Sequence, residues 1–359
     1  MKKLLVELGE KSYNIVFESS FSRLSEELKN INCPKKVLIV TDSNVSELYA
    51  NEVKEILAKD GYDVGICVFE AGEENKNMDT ILKICSACLE HKMDRKSMII
   101  ALGGGVVGDM AGFAASIFMR GIDFVQVPTT LLSQTDSSVG GKTGIDFMQA
   151  KNILGAFHQP KLVYINSSVL KTLPKREFVS GMGEVIKHSI IRDYKFFEYL
   201  HENMDNVKEL SDDVLLDMIY TNCSIKASVV SQDEKETGVR ADLNFGHTFG
   251  HAVESYSDFK LSHGECVGLG MIAASKVAFM RGLISSQELN SIVELLENYG
   301  FSVKAEIYDI SEVVAIMQKD KKKANGKLKF ILPLGIGKVT HADDLSEEEI
   351  MTAFETIKK

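Results

Sequence analysis

Short apolar runs rich in β-branched residues alternate with longer amphipathic stretches through the first half of the chain. KVLIVTD (36–42), DVGICVF (63–69), SMIIALGGG (97–105), FVQVPTT (124–130) and KLVYINSS (161–168) have the length and composition of buried strands. NVSELYANEVKEILAKDGY, with its glycine stop, and NMDTILKICSACLEH carry helical spacing between them. Strands separated by helix-length segments predict βαβ units and a largely parallel, Rossmann-like sheet. After about residue 173 the texture changes. LPKREFVSGMGEVIKHSIIRDYKFFEYL opens a series of amphipathic segments that continues through 211–235, 244–256, 263–282, 285–299 and 311–319. Only LKFILPLGIGKVT looks extended there. The pattern predicts an α/β domain over 1–174 that binds a nucleotide and a mainly α-helical domain over 175–359 that carries metal and substrate groups. The cleft between two such domains is where a ligand is expected.

The run Gly103-Gly104-Gly105-Val106-Val107-Gly108-Asp109 follows a strand and opens a helix. Glycines let backbone N–H groups approach an anion, and a helix N-terminus adds partial positive charge. GxGxxG alone is a weak signal, and a tight strand-to-helix turn with no ligand has the same glycines. Its place between strand and helix favours a nucleotide pyrophosphate. Asp42, at the end of KVLIVTD, with Glu73 and Lys76 of GEENK, is a better ribose-side candidate than Asp123, which precedes a strand.

The sharpest signal lies in RADLNFGHTFGHAVE (240–254) and the HGE that starts at His263. His247 and His251 are four residues apart and share a helix face. Glu184, Lys187 and His188 share a face of an earlier helix. Two imidazoles and a carboxylate around an open position make a catalytic zinc site. The residue types leave the ligand set open among His188, His247, His251, His263 and Glu184. His91, His158, His201 and His341 are read as hydrogen-bonded core or surface residues.

Charge and cysteine usage narrow the classes. A net charge of -10 argues against nucleic acid as the main partner, since phosphate backbones select clustered Lys and Arg. The N-terminal MKKLLVELGEKSY lacks the apolar run of a signal peptide, and no uncharged run approaches a membrane span. CSAC (85–88) lies on a helical pattern with no second CxxC, so it is read as core. A cytoplasmic protein with free thiols is expected. Lys142, Lys151, Lys187, Lys226, Arg240 and the KDKKK segment with Lys321, Lys322 and Lys323 are cations to which no partner is assigned. Gathered in a cleft they would repel one another until an anion, phosphate or carboxylate, joined them.

Over nearly its whole length the sequence resembles the 3-dehydroquinate synthase family. The matching stretches are GEENK, GGGVVGDMAGF, VPTTLLSQTDSSVGGKTG, KNILGAFHQP, TLPKREFVSGMGEVIK, RADLNFGHTFGHAVE, HGE and KDKK with FILPLGIGK. The resemblance implies Glu184, His247 and His263 as ligands of Zn2+, with Co2+ as a substitute. It implies Asp42, Glu73, Lys76, Gly104, Gly105, Val106, Val107, Gly108, Asp109, Thr129, Thr130, Lys142, Lys151 and Thr172 around NAD. It implies Asp136, Lys142, Asn152, Lys187, Lys226, Arg240, Asn244, His251 and one of Lys321 or Lys322 around the substrate. Arg120 matches an arginine that the family reaches across a homodimer interface. The sequence departs from the family at IDFMQAKN, where many members have a Pro-Leu-Gly type turn. The implied reaction turns 3-deoxy-D-arabino-heptulosonate 7-phosphate into 3-dehydroquinate and phosphate, in aromatic amino-acid biosynthesis. It runs through transient oxidation by NAD, phosphate elimination, re-reduction and intramolecular aldol closure. Another sugar-phosphate cyclase, or a metal- and NAD-dependent polyol dehydrogenase, are the alternative readings.

Overall fold

A computed structural model describes residues 1–359 apart from Gln149, Thr237, Phe259 and 324–327, and only the backbone of 319–323. Its described residues divide into two compact units, 1–173 with 215–235 and 174–214 with 236–359.

The first unit is built on a sheet. The strands are β1 (Lys2–Val6), β2 (Tyr13–Glu18), β3 (Lys36–Asp42), β4 (Asp63–Phe69), β5 (Met98–Gly103), β6 (Asp123–Pro128), β7 (Lys142–Phe147), β8 (Ala150–Phe157) and β9 (Leu162–Asn166). Seven of them form one sheet in the order β1-β2-β9-β6-β5-β3-β4. All neighbours in it run parallel except β1 and β2. The predicted strands form at their expected places. The β1–β2 pair and the separate β7–β8 hairpin extend that expectation. Alternation along each strand sends side chains to two faces. Leu38, Val40, Ile99 and Ala101 pack with Ile81, Ile84, Val107 and Met110 of the helices Met78–Glu90 and Gly105–Ile117. Val37, Ile39, Met98 and Ile100 pack with Leu28, Val53 and Leu57 from the opposite side. Both faces are covered, which is why these strands read as continuous apolar runs.

The helix Asp212–Gln232 differs from the sequence-based boundary, because most of it belongs to the first unit. Asn222 donates to the Thr135 carbonyl at 2.7 Å, and Lys226 reaches Asp136. These partners lie about 90 residues upstream, beyond any local pattern.

The second unit is helical, as expected. Its main members are Lys175–Arg192, His247–Tyr256, His263–Met280, Ser286–Asn298, Ile310–Lys323 and Glu347–Ile357. A small antiparallel pair, β10 (Phe330–Pro333) and β11 (Val339–Ala342), supplies its extended structure. Among the described residues no helix is long and apolar enough to cross a membrane.

Candidate active site

Apart from Lys142 and Lys151, which lie in the β7–β8 hairpin, the nucleotide candidates of the first unit share one architectural position: each lies in or just after the carboxyl end of a parallel strand. Asp42 ends β3, Glu73 and Lys76 follow β4, and Gly104 to Asp109 follow β5. Thr129 and Thr130 follow β6, and Thr172 closes the turn after β9. Open α/β sheets bind ligands at this edge. The Gly105–Ile117 helix has no side chain capping its N-terminus, so its first N–H groups remain available to an anion. The glycines also serve packing. A Cβ at Gly108 would lie 2.7 Å from the Gln126 side chain, and one at Gly104 would lie 3.0 Å from Thr130. Val107 is buried in the core, so only its backbone can face a ligand, whereas Val106 is half-buried. Thr129 is buried and its hydroxyl has no hydrogen-bond partner among the described residues. An orphaned buried hydroxyl beside a glycine turn fits a nucleotide.

Two of the lysines read as unpartnered cations, Lys226 and Lys187, are corrected by the structure. Lys226 lies 2.5 Å from an Asp136 carboxylate oxygen and 2.6 Å from its carbonyl. Lys187 pairs with Glu184 on the preceding turn of its helix. Buried ammonium groups need such partners, and distant sequence positions supply them. Lys76, also buried, bonds Asp109 at 2.7 Å and the Asn152 side chain at 2.6 Å. Asn152 sits in the left-handed region at φ 53°, with its N–H donating to Asp146 at 2.7 Å. Burial pushes the Asp109 carboxyl up to about 6 even though Lys76 pulls the other way. Asp42 is likewise raised by burial, against backbone hydrogen bonds from Val45 and Asn44. Lys142 begins β7 and Lys151 lies in β8, both exposed. Thr172 meets the Tyr49 hydroxyl and donates to the Val169 carbonyl at 2.9 Å. Arg120 is exposed at φ 70°, just before Gly121.

In the second unit, glycine contacts draw three helices together. A Cβ at Gly264 would lie 2.0 Å from the Ser180 carbonyl oxygen, and one at Gly270 would lie 1.9 Å from that of Gly246. Gly183 meets Gly264 in the same way at 3.0 Å. These close approaches bring Glu184, His247 and His263 into one cluster. Gly246 (φ 80°) starts the helix whose first residue is His247. Ser262 and Glu265 form a capping box at the start of the helix that begins with His263.

One ligand atom each from Glu184, His247 and His263 lies within 4.8 Å of the others. The two Nε2 atoms are each 3.7 Å from Oε1 of Glu184. That oxygen is buried and has no hydrogen-bond partner among the described residues, while Oε2 takes the Lys187 ammonium. Two atoms bound at about 2.1 Å to one ion at a tetrahedral angle lie roughly 3.4 Å apart. The spacing is therefore long for a hydrogen bond and suited to a shared ion. The Phe245 carbonyl lies 3.1 Å from Nδ1 of His247, which can donate there and leave Nε2 for a metal.

Electrostatics agree with this arrangement. Burial pushes Glu184 up, but Lys187 and the two imidazoles outweigh it and hold the carboxylate well below its usual range. Burial and then Lys187 drive His247 well below the ordinary imidazole value, toward the neutral ligand form. His263 is raised, because the Glu184 carboxylate overcomes the burial that lowers it.

The other candidates take distinct places. His188 is buried on the Glu184 helix. His251 is exposed, with its ring 5.4 Å from that of His247. Arg240 is buried in the Val239–Asn244 turn, and Asn244 donates to Glu236 at 3.1 Å. The side chains of Lys321 and Lys322 lie outside the described residues. Of the histidines set aside, His91, His158 and His341 are hydrogen-bonded as expected, whereas the buried Nε2 of His201 has no hydrogen-bond partner among the described residues. His158 stacks on Phe124, and His341 bonds Asp242 at 2.6 Å. Two features went unread in the sequence. Asp242, which also takes Arg192 at 2.6 Å, had no local signal. Glu254 did have one, since it follows His251 by three residues on a helix.

A family model described as 3-dehydroquinate synthase N-terminal matches residues 66–180, and one described as 3-dehydroquinate synthase C-terminal matches 181–323. A 3-dehydroquinate synthase of Acetivibrio thermocellus is 47% identical over 333 residues, covering 93% of this chain and 92% of its own. Among solved structures, the 2-epi-5-epi-valiolone synthase ValA of Streptomyces hygroscopicus subsp. jinggangensis, with NAD+ and Zn2+ bound, aligns at TM-score 0.90 and 28% identity over 98% of both chains. A 2-deoxy-scyllo-inosose synthase complexed with carbaglucose-6-phosphate, NAD+ and Co2+ aligns at TM-score 0.85 and 26% identity, over 98% of this chain and 99% of its own.

Proposed function

We propose that this chain, which belongs to the 3-dehydroquinate synthase family, converts 3-deoxy-D-arabino-heptulosonate 7-phosphate to 3-dehydroquinate and phosphate. The observation that carries the reading is the Glu184–His247–His263 cluster, whose buried carboxylate oxygen faces two imidazoles beyond hydrogen-bonding reach. It is the donor set of a divalent transition-metal ion such as Zn2+ or Co2+. When bound, the metal supplies Lewis acidity at a substrate hydroxyl and NAD supplies reversible hydride acceptance, with no net redox change.

The chain's own groups bind, orient and neutralise. Lys187 keeps Glu184 ionised, and the Phe245 carbonyl holds the His247 ring. In the first unit, the strand-end residues from Asp42 through Thr172, together with Lys142 and Lys151 of the β7–β8 hairpin, are assigned to NAD. Lys142 and Asn152 are assigned to the substrate phosphate, Lys226 to its carboxylate and Asp136 to a hydroxyl. In the second unit, Arg240 is assigned to the carboxylate, Asn244 to a hydroxyl, and His251 with Lys321 or Lys322 to the phosphate. The departing phosphate is a suitable acceptor for the proton lost in elimination. Six free cysteines suit a reducing cytoplasm. A homodimer with Arg120 at its interface is supported by exposed Ile117 and Met119 beside that residue.

The test is an incubation with the heptulosonate phosphate, catalytic NAD+ and Zn2+, counting phosphate released against NADH accumulated. Many phosphates per NAD+, no net NADH and 3-dehydroquinate as product are expected. NADH accumulating in step with turnover would instead identify a dehydrogenase. A different ring would identify another cyclase.

A further inference from the structure

The reaction above leaves one buried carboxylate of the histidine-rich helix without a part. Glu254 lies one turn after His251 on the His247–Tyr256 helix and is 7% exposed. One ligand atom each from His251, Glu254 and His263 lies within 4.8 Å of the other two. His263 therefore belongs to two three-donor sets, this one and that with Glu184 and His247. The ring centroids confirm a compact group, 5.4 Å between His247 and His251, 5.3 Å between His247 and His263, and 6.1 Å between His251 and His263. A carboxylate with two imidazoles is a donor set for Zn2+ or Co2+.

We infer that His251 and Glu254, beside His263, form a second, weaker seat for a divalent transition-metal cation, filled when the ion is in excess. Two features rank it below the first. His263 turns Nε2 toward Glu184, so a filled first seat leaves the second with His251, Glu254 and water. His251 is exposed, so ordering its side chain around an ion costs rotamer freedom. Occupancy has a consequence that rests on the proposed reaction. His251 is there assigned to the substrate phosphate, and an ion that captures it competes with substrate. Excess metal then inhibits, and raising substrate relieves the inhibition.

The experiment starts from the enzyme carrying one Co2+ per chain and adds Co2+ under equilibrium dialysis, with visible absorption and initial rate recorded at each step. Wild type is expected to take up a second ion as the rate falls, while Glu254→Gln stays at one ion and keeps its rate. Glu254→Asp, which retains a carboxylate on a shorter arm, should bind the second ion more weakly than wild type. A count of one ion in wild type throughout overturns the seat, whether or not the variants fold. So does a second ion retained by a folded Glu254→Gln. A second ion lost in Glu254→Gln but without inhibition in wild type keeps the seat and removes His251 from the substrate. Loss of the tight ion belongs to Glu184→Gln, so failure of the first site is read separately.

Discussion

The two units handle buried charge in opposite ways. In the first, each buried ammonium is met by protein groups at hydrogen-bond distance: Lys76 by Asp109 and Asn152, and Lys226 by Asp136. In the second, Glu184 gives one oxygen to Lys187 and points the other at two imidazoles 3.7 Å away. A charge with its partners in place fixes local shape, whereas a buried carboxylate oxygen left beyond reach of its neighbours is arranged for a partner that arrives from solution. The difference separates a scaffold for an anionic cofactor from a seat for a cation.

The largest expected effect breaks the cation seat. Glu184→Gln should remove the tight metal ion and lower kcat/KM by about 10³-fold or more, the scale of several kcal/mol of metal-assisted stabilisation. Steady-state kinetics with a metal assay checks it. Wild-type metal content and activity in this variant would dissolve the contrast.

Breaking the closed pair of the first unit acts on stability instead. Lys76→Met leaves the half-buried Asp109 without its cation, which costs up to about 3 kcal/mol at pH 8. The sign with pH follows from the raised carboxyl. A group raised to about 6 is penalised for being charged above that pH, and the penalty fades as pH falls through 6 toward the ordinary carboxylate range. Urea denaturation should therefore show a larger loss at pH 8 than at pH 5. An equal loss at both would mean that Asp109 titrates normally.

Helix approach is a smaller lever. Gly264→Ala sets a methyl 2.0 Å from the Ser180 carbonyl oxygen, which only backbone movement can relieve. A loss of about 1–3 kcal/mol is expected, together with weaker metal binding, since Glu184 and His263 sit beside the contact. Denaturation and metal titration on the same sample test whether the two losses travel together. The mildest change, Ser262→Ala, removes the cap of the His263 helix and should cost about 1 kcal/mol. Thermal denaturation reads it, and an unchanged midpoint would show that the cap is dispensable.

The parallel strands and long helices were legible because their burial is periodic and local. KVLIVTD is apolar throughout because both faces of β3 are covered, and the 3.6-residue spacing of the second half maps onto its helices. What was not legible depends on contacts distant in sequence. The Asp212–Gln232 helix reads like its helical neighbours, yet it belongs mostly to the first unit through Asn222 and Lys226. Lys226 and Lys187 looked unpartnered for different reasons. Asp136 lies 90 residues from Lys226, whereas Glu184 stands only three residues before Lys187 and is itself a candidate metal ligand. The glycines of FGHTFGH and HGE were visible. Their purpose, helix approach tight enough to gather the donors, is a property of pairs of helices.

X-ray absorption at the zinc edge of protein loaded with one equivalent of Zn2+ tests the central claim most directly. Two imidazole nitrogens at about 2.0–2.1 Å with oxygen filling the remaining positions are expected of the Glu184–His247–His263 seat. A spectrum without imidazole scattering would contradict it.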